Sequence, residues 1–293
     1  TQPLPTVLGW YASQLPAWFQ KLSCVAMFVV ELAIPFLIWV PRAWARRAAA
    51  ASIASLMVLI ALTGNYGFFN LLTVVLCIPL LDDRLLSRVP GLAVPPRASP
   101  EEGPARRIDT AGPAVIVALT AALFFVGMFG ERPPRWLGPI YPFATFNNYG
   151  LFTVMTTERR EIELEGTSDG KTWIPYVFQY KPGAIDRAPA FVAPHQPRLD
   201  WQMWFAALGD YRRNAWLADT MRRLLEGSPA VSSLFADDPF ADEPPKQVRA
   251  LIYRYVPTTV EERRDTGDWW QRDERALYAP LLGVPIETGD AGE

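Results

Sequence analysis

Hydrophobic and polar positions divide this chain into two unlike parts. Up to about residue 140 the apolar residues come in long runs, and beyond it they alternate with charge or recur at helical spacing. Four early runs approach the roughly 20 residues that a helix needs to cross a hydrocarbon core of ~30 Å. They are Leu22–Val40, Ala45–Thr63, Tyr66–Leu81 and Gly112–Gly130. The third is the shortest, and only Thr63–Tyr66 separates it from the second, which predicts a tight helical hairpin. Pro35 predicts a kink in the first, because it lacks a backbone donor.

The later part reads differently. Pro133–Pro142 is a proline-rich exit from the membrane, with Trp136 and Tyr141 suited to its interface. Gly150–Thr156 and Arg160–Glu165 read as strands, and Glu161, Glu163 and Glu165 alternate with Ile162 and Leu164, predicting one wet face and one buried face. Thr167–Gly170 is a hairpin turn, with Gly170 free to take positive φ. Thr172–Tyr180 returns as a strand that Pro175 confines to an edge or bulge. After the extended link Pro189–Pro197, Asp200 reads as an N-cap. Trp201, Trp204, Phe205 and Leu208 follow at helical spacing, a stripe expected to pack on the hairpin. A second helix is expected from Asp210 to Glu226 with Gly227 as its αL cap, then a short helix opened by Ser228-Pro229. Val248–Val256 alternates as a strand, and Trp269–Leu282 is an aromatic tail. The fold class is therefore an α-helical transmembrane region, residues 1–139, followed by an α+β extramembrane domain, residues 140–293.

Loop charge orients the helices. Arg42, Arg46 and Arg47 lie in one loop and Arg84, Arg88, Arg97, Arg106 and Arg107 in another, whereas the Thr63–Tyr66 turn has no basic residue. The arginine-bearing loops are expected in the cytoplasm, which puts that turn and the C-terminal domain outside, in a lumen or periplasm. Arg outnumbers Lys 24 to 4, a composition in keeping with a GC-rich, bacterial genome.

Candidate chemistry is sparse. A net charge of −2 excludes a strongly basic nucleic-acid footprint. The two cysteines, Cys24 and Cys77, fall in predicted membrane helices, so neither a disulfide framework nor a CxxC motif is available. Glu31 sits mid-helix, where an unpaired carboxylate costs several kcal/mol, so it is expected neutral or facing a protein partner. Asn65 and Asn70 flank the outer turn and are expected to hydrogen-bond there. An enzyme would have to use His195, the single histidine, for which Asp200 is the candidate acid–base partner. No metal cluster, GxSxG elbow or phosphate loop accompanies it. His195 is expected to satisfy backbone groups at a loop–helix junction, and no cofactor is expected.

NNYGLF at Asn147–Phe152, EGTSDG at Glu165–Gly170, YKPG at Tyr180–Gly183 and PHQPRLDWQMWFAALG at Pro194–Gly209 form a specific set, with GNYGFFNLLT at Gly64–Thr73 and LLDDR at Leu80–Arg84. Together they resemble the lipase maturation factor family along the whole chain. The resemblance implies an endoplasmic-reticulum membrane protein, or an inner-membrane one if bacterial. It implies further that the lumenal or periplasmic domain assists a lipase-like client at the membrane lipid surface. Trp201, Trp204, Phe205 and His195 are then candidates for partner binding or for the core. Because the chain starts at Thr1, it also reads as lacking upstream membrane helices. The competing class is an envelope enzyme acting on a lipid-linked substrate near Glu31, Asn65 and Asn70.

Overall fold

The computed structural model describes residues 2–88, 90–91, 108–128 and 156–285. Thr1–Leu92 and Thr156–Glu293 pack into one unit, and Ala93–Met155 forms another. The expected boundary at 139/140, the Pro133–Pro142 exit and the NNYGLF motif lie outside the described residues.

Thr6 opens the first helix, α1 (Val7–Ser13), by accepting the Gly9 N–H at 2.9 Å on its hydroxyl, which satisfies one of the donors that a helix start leaves unmatched. Pro16 then resets the chain for α2 (Ala17–Phe28). The helix continues with altered pitch, π-helical over Val29–Ala33 and 3-10 over Ile34–Trp39. Pro35 explains the change, because it cannot donate to the Glu31 carbonyl and its ring would strike it, so the ladder widens before it. Ala17–Trp39 and α3 (Ala43–Thr63) are long and apolar enough to cross a bilayer, with mean hydropathies of 2.2 and 1.6.

The third run makes a shorter helix than Tyr66–Leu81. Gly67 takes φ +63°, so α4 (Phe69–Leu76) begins after it, and a 3-10 turn at Ile78–Leu80 contains Pro79. Phe69–Leu80 reaches only about 18 Å. It still packs as a hairpin with α3, where Asn70 Nδ2 donates to the Met57 carbonyl at 3.3 Å. Asp82 caps α5 (Asp83–Leu86) and pairs with Arg47. That pair joins the start of α3 to the end of the α4 segment, so the two arginine-bearing loops begin at the same end of the bundle. In the other unit, α6 (Ile108–Met128) covers the described part of the fourth expected helix.

The α+β domain centres on a four-stranded antiparallel sheet of order β2-β1-β5-β6, in which β1 is Arg159–Thr167, β2 Ile174–Pro175, β5 Gln247–Pro257 and β6 Trp270–Gly283. Pro175 sits on the edge strand, where a missing donor is tolerated. The rest of the expected return strand, β3 (Val177–Phe178), pairs instead with β4 (Phe235–Asp237) in a small second sheet. The central pairing is long-range, with Arg159 opposite Tyr255 and Thr167 opposite Gln247. One sheet face carries Ile162, Leu164, Val248 and Ala250. It is covered by Leu199, Met203 and Ala206 of α7 (Arg198–Ala206) and by Leu217, Met221 and Leu224 of α8 (Ala215–Leu225). Each of the Ile, Leu, Val and Met side chains among them stabilises the fold by roughly 1.5–3 kcal/mol on full burial. The other face carries Leu251, Tyr253 and Tyr255 with Trp269 and Trp270, and its cover includes Trp10 of α1, from the far end of the sequence.

Several local readings change. Asp200 is not an N-cap. Pro197 holds that place, and Asp200 lies inside the first turn of α7. The expected helix Asp210–Glu226 breaks at Asn214, leaving a 3-10 turn at Tyr211–Arg213 ahead of α8, while Gly227 takes the αL conformation with φ +64°. α9 (Pro229–Ser232) follows Ser228. The aromatic tail is the strand β6. Between β5 and β6, α10 (Val260–Thr266) carries a full capping box, Thr259 with Glu262.

Candidate functional site

Glu161, Glu163 and Glu165 project from the face of β1 opposite Ile162 and Leu164, as their alternation requires. That face is not wet. All three are buried, Glu161 to 1% exposure, because cations and aromatic rings cover them. Arg159 bonds Glu161 Oε1, and Lys181 Nζ stands 3.1 Å from Glu161 Oε2 at an angle outside hydrogen bonding. Arg272 Nη1 holds Glu163 at 2.7 and 3.0 Å, and the Tyr255 hydroxyl lies 2.5 Å from the same Oε1. Burial, then the Glu163 carboxylate, push the Tyr255 phenol far above its ordinary range, so it stays a donor. Arg249 grips Glu165 at 2.6 Å and stacks 3.9 Å from the centre of the Trp173 ring. The result is a ladder of three carboxylates, each met by a cation.

The YKPG and PHQPRLDW motifs converge at one end of that ladder. Asp200 Oδ1 accepts the Tyr180 and Lys181 N–H groups at 2.7 and 2.9 Å, fixing the YKPG backbone. Lys181 Nζ then donates to the Pro182 carbonyl at 2.8 Å and lies over the Phe178 ring. Tyr255 also reaches the Gly183 carbonyl at 2.6 Å. Asp200 therefore organises a loop, with one carboxylate oxygen taken by two backbone donors.

Beside this ladder runs the seam between the α+β domain and the N-terminal helices. Trp10 Nε1 donates to the Trp269 carbonyl at 3.0 Å, its ring edge-on to Trp269, and Arg263 stacks 3.7 Å from the Trp269 ring centre. Gln14 Nε2 reaches the Thr258 carbonyl at 3.0 Å, and Arg159 bonds the Gln2 carbonyl. At a second contact Asn65, fully buried, donates from Nδ2 to the His195 carbonyl at 2.9 Å and accepts the Gly67 N–H at 2.6 Å. Trp201 Nε1 donates to the Asn65 carbonyl at 3.3 Å. Gly67 is needed here for its positive φ and because a Cβ would press on Gln196.

The structure brings Asn65, His195 and Trp201 together and leaves Glu31 and Asn70 apart from them. His195 contributes its backbone, while its ring is exposed and edge-on to Tyr180 at 6.0 Å. Trp201 and Trp204 are buried, but the expected packing of their stripe on the hairpin is corrected. Leu199, Met203 and Ala206 occupy the face of α7 toward the sheet, and Trp201 and Trp204 meet Phe205 edge-to-face at 4.9 and 5.0 Å. Glu31 is exposed within the π-helical turn, and Asn70 is spent on Met57. Among the described residues no group of His, Cys, Asp and Glu could hold a metal ion. Trp10, Arg159, Lys181, Tyr255 and Arg272 escaped the sequence reading. The Thr259–Glu262 capping box, by contrast, was a readable signal for α10.

These features define an integral membrane protein whose α+β domain shares a core with its own N-terminal helices. The profile of the lipase maturation factor transmembrane domain matches residues 1–88, and that of the lipase maturation factor C-terminal domain matches residues 145–280. The chain belongs to the lipase maturation factor family. It is 32% identical to lipase maturation factor 2 of Gallus gallus over 99% of this chain and 55% of that protein. Against lipase maturation factor 2 of Homo sapiens the figures are 32%, 98% and 55%. Against lipase maturation factor 1 of Bos taurus they are 31%, 96% and 54%. The chain thus spans a little over half the length of these relatives. No solved structure matches it.

Proposed function

We propose that this protein assists the folding and assembly of secreted lipases or similar envelope clients, with its α+β domain as the client-facing part. The names of its relatives supply the client class. The observation that carries the reading is the seam: Trp10 and Gln14 of α1 and Asn65 of the turn after α3 tie the domain to the N-terminal helices by side-chain bonds, which suits a platform held at a fixed height over the bilayer rather than a domain on a tether. The domain faces the endoplasmic-reticulum lumen, or the periplasm in a bacterium, a side supported by the arginine bias of the opposite loops. Cys24 and Cys77 both precede the domain, so its assistance does not run through thiol exchange by its own residues. Crosslinking the intact protein in its native membrane and identifying what is captured tests this. A lipase or lipase-like secreted protein is expected. Secreted lipase activity that is unchanged when the gene is deleted would overturn the reading.

A further inference from the structure

We propose that α1 is an interfacial helix whose free face lies in the headgroup layer of the bilayer, so that it sets the height of the α+β domain. Its two sides are unlike. Thr6, Trp10 and Gln14, four residues apart, turn inward: Thr6 Oγ1 donates to the Leu62 carbonyl at 2.6 Å, and Trp10 and Gln14 reach the Trp269 and Thr258 carbonyls. Leu8, Tyr11 and Leu15, spaced three and four apart, form the opposite stripe and are 51%, 47% and 41% exposed. An exposed apolar stripe on an otherwise anchored helix calls for an apolar partner.

The partner is identified by continuity. Gly9 lies so close to the last turn of α3 that a Cβ there would stand 2.1 Å from the Thr63 carbonyl oxygen. α3 is long and apolar enough to span a membrane, and Leu62 and Thr63 are at its end. α1 is therefore fixed at the level where the hydrocarbon stops. Two residues after Gln14, Pro16 turns the chain into the spanning run Ala17–Trp39, whose first turns expose Trp18 and Phe19. Lys21 follows and can carry its ammonium to the headgroups. From Leu22 to Trp39 the helix rises about 27 Å, close to a hydrocarbon core, leaving Trp18, Leu15, Tyr11 and Leu8 just above it. A Trp and a Tyr at that depth match the preference of amphipathic rings for the interface, and a helix apolar on its bare face is the element that lies there.

The test uses the full chain reconstituted in phosphatidylcholine vesicles, with Cys24 and Cys77 replaced by Ser and Ala. Leu8→Cys, Tyr11→Cys and Leu15→Cys are labelled singly with a polarity-sensitive fluorophore. Arg222→Cys on α8 serves as an aqueous control and Leu32→Cys as a deep one. All three α1 labels should be quenched several-fold more by a spin label near the headgroup end of the acyl chain than by one near its tail, with the reverse at Leu32 and neither at Arg222. Labels on α1 reached by aqueous iodide as freely as the Arg222 label would overturn the proposal. So would labels shielded from both quenchers, since the stripe would then be covered by protein. The three sites report independently, so a poorly folded variant at one leaves two.

Discussion

Asn65 and His195 stand 130 residues apart in sequence and are joined by one hydrogen bond, the Asn65 amide to the His195 carbonyl at 2.9 Å. Asn65 belongs to the turn between α3 and α4, and His195 to the loop that leads into α7. The same amide accepts the Gly67 N–H, so one buried side chain holds its own turn and the domain beside it.

Asn65→Ala should consequently leave the part-buried His195 carbonyl and the buried Gly67 N–H without their partner. Stability should fall by about 1–3 kcal/mol, the usual cost of unsatisfied buried groups. His195→Gln keeps the backbone bond, and its ring is exposed, so it should leave stability and client maturation nearly unchanged. Thermal unfolding of both variants in detergent checks the contrast. Equal losses would sink the assignment of the bond to the His195 backbone.

The carboxylate ladder makes an asymmetric prediction. Glu161 lies between two buried cations, so Glu161→Gln should cost about 3–5 kcal/mol by leaving Arg159 and Lys181 without their counter-charge. Lys181→Met leaves Glu161 paired with Arg159 and should cost clearly less. Denaturant titration that ranked the two in the opposite order would show that Lys181 is the chief partner.

Among the residues of α7 that face the sheet, Met203 is fully buried, so Met203→Ala should destabilise the domain by about 2–5 kcal/mol. Trp201→Phe keeps most of the ring volume but loses the bond to the Asn65 carbonyl. It should increase protease cleavage near the seam while leaving the sheet core protected in hydrogen exchange. Uniform loss of exchange protection would place Trp201 in the core after all.

Alkaline pH should weaken the fold through its buried phenols. Burial raises Tyr255 and Tyr176 above the ordinary phenol value of about 10. A raised folded value means that the native state keeps protons the unfolded chain would release. The stabilisation is complete below about pH 10 and declines as the pH climbs through the folded values. Unfolding midpoints should fall above that pH, less steeply in Tyr255→Phe, and an identical slope in that variant would refute the role given to Tyr255.

A cytoplasm-only reporter fused after Gly283 should remain silent, because the arginine-bearing loops are read as cytoplasmic. Activity of that fusion would invert the topology and, with it, the compartment in which a client is met.

Much of the architecture followed from local pattern. Apolar run length marked the two long apolar helices but overstated the third, whereas Pro35 marked the change of pitch, Gly170 and Gly227 the positive-φ positions, and alternation the strands β1 and β5, since each depends on residues close in sequence. The α+β class followed from the order of those elements. Long-range proximity decided the rest. Alternation showed that Glu161, Glu163 and Glu165 share a face with Arg159 of the same strand, but not that Lys181, Arg249 and Arg272 would cover it, because those three cations arrive from three other segments. Helical spacing picked out Trp201, Trp204 and Phe205, yet Leu199, Met203 and Ala206 took the sheet side, which the packing of α7 on the sheet decided. Trp10 gave no sign of its place, since its partner Trp269 lies 259 residues away and a contact of that separation exists only once the chain has folded.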